Sequence, residues 1–87
     1  MGTILRVRRH RNQNETPRCY ETSTDLSGSN GVKAMKEAVS AFLEDEPNAT
    51  GELLQIDRWT GTAWVSLMAL RQSGPERPIV AHKVTCP

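Results

Sequence analysis

The chain has 87 residues, 37% hydrophobic and 24% charged, with a net charge of +1. That describes one small globular domain, not a disordered chain, and no apolar run is long enough to span a bilayer. Its charge is segregated: residues 1–18 carry five arginines against one glutamate, while residues 19–46 carry two lysines against Glu21, Asp25, Glu37, Glu44, Asp45 and Glu46.

Thr3 to Arg11 reads as a strand, because Leu5 and Val7 alternate with Arg6 and Arg8. Its outward face shows Arg6, Arg8 and His10, and the alternation decays at Arg9 and Arg11. The polar stretch Asn12 to Pro17 makes a loop, and Arg18 to Ser23 makes a second strand, forming a hairpin with the first. Ser29 or Asn30 then caps a helix. Val32, Met35, Val39 and Phe42, with Ala38 and Leu43, form its apolar stripe, while Lys33, Lys36, Glu37, Ser40 and Glu44 lie off it. Pro47 stops it. Lysines near the start and Glu44, Asp45 and Glu46 at the end oppose the helix dipole. This acidic run serves either solubility or a partner.

The stretch from Gly51 to Arg71 forms the central hairpin, turning at Thr60-Gly61-Thr62, with Trp59 and Trp64 on either side. In its first strand Leu54 and Ile56 share one face, and Gln55, Asp57 and Trp59 share the other with Leu53. Its second strand is apolar on both sides, with Val65, Leu67 and Ala69 on one face and Trp64, Ser66, Met68 and Leu70 on the other. That pattern belongs inside a sheet or against a partner. The tryptophans form a cross-strand pair or a surface hot spot beside Arg58. Pro78 to Thr85 supplies the last strand. The order β-β-α-β-β-β implies an α+β fold, a mostly antiparallel five-stranded sheet with the helix on one face.

Chemistry-bearing residues are sparse. His10 and His82 lack neighbouring metal ligands, the glycines lack phosphate-loop spacing, and no catalytic constellation, metal or cofactor is expected. So small a core leaves no room for a deep cleft. Cys19 and Cys86 are expected as free thiols in a reducing cytoplasm, with a bridge from the second strand to the C-terminus as the alternative. The N-terminus shows no signal-peptide core, so a cytoplasmic site is expected, and Asn14-Glu15-Thr16 and Asn48-Ala49-Thr50 read as ordinary loop composition. Arg6, Arg8, Arg9 and Arg11 are the strongest chemical signal. They either contact phosphates or guard an edge strand with outward charge.

The basic first strand ILRVRRHR, the helix VKAMKEAVSAFL and the hairpin GELLQIDRWTGTAWVSLMAL follow one another in an order that resembles small phage and mobile-element anti-CRISPR proteins of the type I-F inhibitor kind. The likeness covers roughly residues 3–72, and the last strand is where the chain departs from it. It implies a non-catalytic inhibitor, monomer or homodimer, docking on a protein or nucleoprotein complex such as a CRISPR surveillance complex in the host cell. The expected contacts are Arg6, Arg8, Arg9, Arg11, Arg58 and Trp59, or else Glu44, Asp45 and Glu46. The alternative is a small DNA-binding module similar to integrase arm-binding domains, which also set a basic sheet against a helix.

Overall fold

The computed structural model describes residues 2–28 and 30–87. Ser29, one of the two expected helix caps, lies outside them. The described chain forms β1 (Ile4–Arg9), β2 (Arg18–Glu21), α1 (Asn30–Asp45), a 3-10 turn (Pro47–Ala49), β3 (Leu54–Trp59), β4 (Trp64–Leu70) and β5 (His82–Val84). One antiparallel sheet holds all five strands in the order β4-β3-β1-β2-β5, so the α+β architecture is the expected one.

The core forms where the helix stripe meets the sheet. Leu5 and Val7 from β1, Tyr20 from β2, and Leu54 and Ile56 from β3 point to the helix side. Met35, Ala38, Val39, Phe42 and Leu43 of α1 cover them. Val32, expected to begin the stripe, is instead exposed. Val32 lines an open concavity with Pro78 and Val80.

Glu37 and Ser40, expected on the solvent side, are buried. The segments either side of the helix wrap around it, and these two polar groups fasten them. Ser40 Oγ accepts from Gln72 Nε2 and from the Glu76 backbone N–H, both at 2.9 Å. The Glu37 carboxylate accepts from the Ser23 N–H at 2.8 Å, from Ser23 Oγ at 2.9 Å and from Thr24 Oγ1 at 2.7 Å. Burial pushes the Glu37 carboxyl up, but the Thr24 and Ser23 donors outweigh it and hold it below its ordinary value. A depressed carboxyl adds stability above its unfolded pKa, about 4.3, and loses it as pH falls through the folded value. Glu37→Gln is therefore expected to lower stability by about 1–3 kcal/mol at pH 7. The gap from the wild type should close as pH drops below about 4. Urea unfolding at pH 7 and pH 3 checks this; a gap unchanged at pH 3 would show that the charge is irrelevant.

Four expectations about the strands are corrected. β1 is central, not an edge, because β3 crosses over to pair with its free side, setting Arg6 opposite Asp57 and Val7 opposite Ile56. Its arginines therefore do not guard an edge. β4 is not interior: it forms one edge of the sheet. Its faces also differ from simple alternation. The β3–β4 register shifts between Ile56 and Asp57, whose partners are Met68 and Ser66, so Leu67 is the extra residue of a bulge. Trp64 and Ser66 thus lie on the outer face, while Met68 and Leu70 sit opposite Ile56 and Leu54 on the helix side. The last strand shrinks to His82–Val84, paired with β2.

The thiols are not free. Cys19 and Cys86 form a disulfide across 67 residues of chain, tying β2 to the segment after β5. Alignment brings them together: Cys19 lies opposite Val84 in the β2–β5 ladder, two residues before Cys86. No helix among the described residues is long and apolar enough to cross a membrane.

Candidate docking surface

The helix covers one face of the sheet and leaves the other open. Strand alternation puts Arg6 and Arg8 of β1 on this open face, with Gln55, Asp57 and Trp59 of β3 and Trp64 and Ser66 of β4. Arg6 Nε donates to Asp57 Oδ2 at 2.7 Å. Its guanidinium carbon lies 4.3 Å from the centroid of the Trp64 ring. Trp64 meets Trp59 with ring centroids 5.1 Å apart and planes tilted by 53°. The expected cross-strand pair is present, since Trp59 and Trp64 lie directly opposite in the ladder that follows the turn. Thr60 holds that turn, its N–H donating to Ala63 O at 2.9 Å, with Gly61 at φ 107, which suits a residue without a Cβ.

Beneath the stack lies a polar layer. Gln55 Nε2 donates to Ser66 Oγ at 2.8 Å and reaches Asp57 Oδ1 at 3.2 Å. His10 Nδ1 lies 3.3 Å from Gln55 Oε1. Gln55 and Asp57 are buried although they sit on the uncovered face, because Arg6, Trp64 and their neighbours close over them. The arrangement immobilises an arginine between a carboxylate and an indole. Its charge is balanced on one side and its flat face is spent on an aromatic ring.

Of the remaining expected contact residues, Arg8 shares the open face and the others are set apart from the stack. Arg9 turns to the other end of the sheet and ion-pairs with Glu15, with Glu52 at 3.1 Å and with Glu46 at 3.8 Å. Arg11 reaches Glu52 at 3.1 Å. Arg8 Nη1 donates to the carbonyls of Arg9 and His10, both at 3.2 Å. Arg58 is exposed and lies opposite Leu5, so it belongs to the helix side and does not share a face with Trp59.

Glu44, Asp45 and Glu46 are engaged within the molecule. Glu44 meets Arg77 at 2.8 Å, and Asp45 and Glu46 meet Arg18 at 3.8 and 3.7 Å. The Tyr20 hydroxyl donates to Asp45 Oδ2 at 2.8 Å. Burial, and then the Asp45 carboxylate, drive the Tyr20 phenol far above its ordinary pKa, keeping it a neutral donor. The basic first segment and the acidic helix end thus find each other. That contact also supplies the positive charge the helix C-terminus lacks in its own sequence.

Asp57, Gln55 and Ser66 are the residues of this surface not singled out from sequence as contacts, whereas Trp64 is marked there with Trp59 as a pair or a surface hot spot. Alternation alone places Gln55, Asp57 and Trp59 on one face of β3. Their meeting with Arg6 needs the non-local β1–β3 pairing, which leaves no local signature. A concavity of about 620 Å³ lies elsewhere, between α1 and residues 76–80, and is lined by Lys33, Lys36, Glu37 and Arg77 among others. Among the described residues, no three His, Cys, Asp or Glu side chains gather as metal ligands. Comparison with protein-family models, curated proteins and solved structures finds no match to this chain.

Proposed function

We propose that this protein acts by binding, as a non-catalytic docking module, and that its contact surface is the open sheet face around Arg6, Trp59 and Trp64. The observation that carries this reading is the clamped stack: Asp57 holds Arg6 at 2.7 Å while its guanidinium covers Trp64 at 4.3 Å. Trp and Arg dominate binding energy at protein interfaces. Here their side chains are already ordered, so little rotamer entropy is left to lose on association. The partner class is a protein or nucleoprotein assembly, of the kind that small phage inhibitors engage, with the host cytoplasm as the place of action. The acidic helix end is a weaker candidate, since its three carboxylates already have internal partners.

A type I-F surveillance complex, titrated with the protein, tests the reading through its capture of labelled target duplex. Capture is expected to fall, and Trp64→Ala is expected to need at least about thirtyfold more protein, the equivalent of a hot-spot loss near 2 kcal/mol. Unchanged capture would overturn this choice of partner.

Arg8 favours a second reading, direct DNA binding. It makes no ion pair among the described residues and lies on the same face as the tryptophans. Free duplex and single-stranded DNA provide the discriminating arm. Indole quenching by DNA that weakens steeply between about 50 and 200 mM salt would favour this reading over protein docking.

A further inference from the structure

We infer that a second copy of this chain pairs with β4 edge to edge, joining two five-stranded sheets into one of ten strands. The two edges of the sheet are built differently. β5 has only three residues, presents exposed His82 and Lys83, and is tied down by the disulfide. These features protect an edge from pairing. β4 runs seven residues, WVSLMAL, with no charge and no proline, and Val65 and Met68 are 47% and 43% exposed. The helix packs mainly on β1, β2 and β5, toward the other edge.

Three independent features select one register. The first is the backbone. The His10 N–H donates to Leu53 O, so the groups of Leu53 face β1, and those of Leu54, Ile56 and Arg58 face β4. Their partners Leu70, Met68 and Val65 point inward. Trp64, Ser66, Ala69 and Arg71 are left with N–H and C=O groups pointing away from the sheet. An antiparallel two-fold between Leu67 and Met68 sets Ser66 against Ala69 of the second copy and Trp64 against its Arg71. Both are pairs of outward-facing residues, as a hydrogen-bonded ladder requires.

The second feature is the side-chain faces. The bulge turns Leu67 and Met68 to the same side, and in this register helix-side residues meet only helix-side residues: Val65 with Leu70, and Leu67 with Met68. Leu67 and Leu70 already pack against the core, so the pairing extends it. On the other face Ser66 meets Ala69. A centre placed on Leu67 itself would instead set outer Trp64 against helix-side Leu70. Bulges commonly blunt an edge; here the two-fold falls inside the bulge and the two halves remain matched. The third feature is charge: β4 itself carries none, and Arg71, set opposite Trp64 of the second copy, holds its guanidinium on Gly51 O at 3.1 Å, so no like charges oppose one another in the ladder.

The dimer does not depend on the docking reading, which concerns the open face and survives if the dimer fails. Both Trp59–Trp64 stacks would lie on one side of the joined sheet, doubling the platform. Sedimentation of the whole chain from about 5 to about 500 µM, read for mass, is the test. The mass is expected to rise from 9.7 kDa toward twice that value with concentration. Ala69→Pro removes an outward N–H without touching the β3 ladder, and Met68→Lys sets two lysines side by side at the axis. Each is expected to weaken association at least about tenfold, with an unchanged far-UV melt. Oxidising a mixture of Ser66→Cys and Ala69→Cys chains should give covalent dimer in larger yield than either variant alone. A mass of 9.7 kDa throughout would overturn the inference. So would a dimer that persists in folded Met68→Lys, or one whose cross-linking ignores the 66–69 pairing.

Discussion

Reducing the Cys19–Cys86 bridge is expected to lower the unfolding free energy by about 4 kcal/mol. The bridge closes 67 residues of chain, and chain-entropy arguments assign a loop of that length a constraint on the unfolded state of this size. A domain of 87 residues has about 4–13 kcal/mol in all. Reduction therefore removes a large share, and the reduced domain sits near the limit of independent stability. Local effects should be uneven. β5 pairs with β2 over only three residues, Cys19 to Glu21 against Val84 to His82, and without its covalent tie that ladder frays first. The β1–β3 ladder spans five residue pairs at the centre of the sheet and should retain its exchange protection longest. Urea unfolding of Cys19→Ser/Cys86→Ser beside the oxidised wild type measures the global loss, and amide exchange locates it. A difference under about 1 kcal/mol would mean that the reduced chain keeps its constraints by other contacts.

The same result bears on the proposed function. A cytoplasmic inhibitor works where thiols are kept reduced. The Arg6–Trp64–Trp59 stack lies across β1, β3 and β4; Arg6 sits opposite Cys19 in the β1–β2 ladder, but the side-chain contacts that hold the stack run to Asp57 and Trp64, not to the bridge. Binding by the reduced protein, at a temperature where it is still folded, should therefore match binding by the oxidised protein. Residues 79–85 are the part of the fold that the bridge holds.

Local pattern explains what could be read from the sequence. Leu5 and Val7 alternate with arginines, Met35, Val39 and Phe42 recur at helical spacing, and Pro47 follows the helix end; each element appears close to where those signals place it. What the sequence concealed depends on pairing between distant segments. Nothing in Thr3–Arg11 says that Asp57 will lie beside Arg6, or that β1 will be central. The bulge at Leu67 shifts half of β4 by one residue, which alternation cannot foresee. Glu37 and Ser40 looked solvent-facing because their partners, Ser23, Thr24, Gln72 and Glu76, come from segments without regular structure. The acidic helix end was ambiguous for the same reason: Arg9, Arg18 and Arg77, which neutralise it, arrive from three separate parts of the chain.

Phe42→Ala is expected to destabilise the domain by about 3–5 kcal/mol, the cost of removing a buried aromatic ring and leaving its cavity. Phe42 is 1% exposed and belongs to the cluster that includes Leu5, Val7, Tyr20, Leu54 and Ile56. With its buried neighbour Leu43 it immediately precedes Glu44-Asp45-Glu46, so it helps set how closely the acidic end approaches Tyr20 and Arg18. Loss of the ring loosens packing and electrostatic contacts together, since the Tyr20–Asp45 hydrogen bond at 2.8 Å requires the helix end to be seated. The near-ultraviolet signal and fluorescence of the tryptophans should change less than the melting temperature. Their stack lies on the opposite face of the sheet and is held by Arg6 and Asp57 rather than by the helix. Val32→Ala is the matched control: the same helix, an apolar side chain, 57% exposed, and a change expected within about 0.5 kcal/mol. Equal effects from the two substitutions in urea unfolding would mean that the helix does not dock through the Met35–Val39–Phe42 stripe.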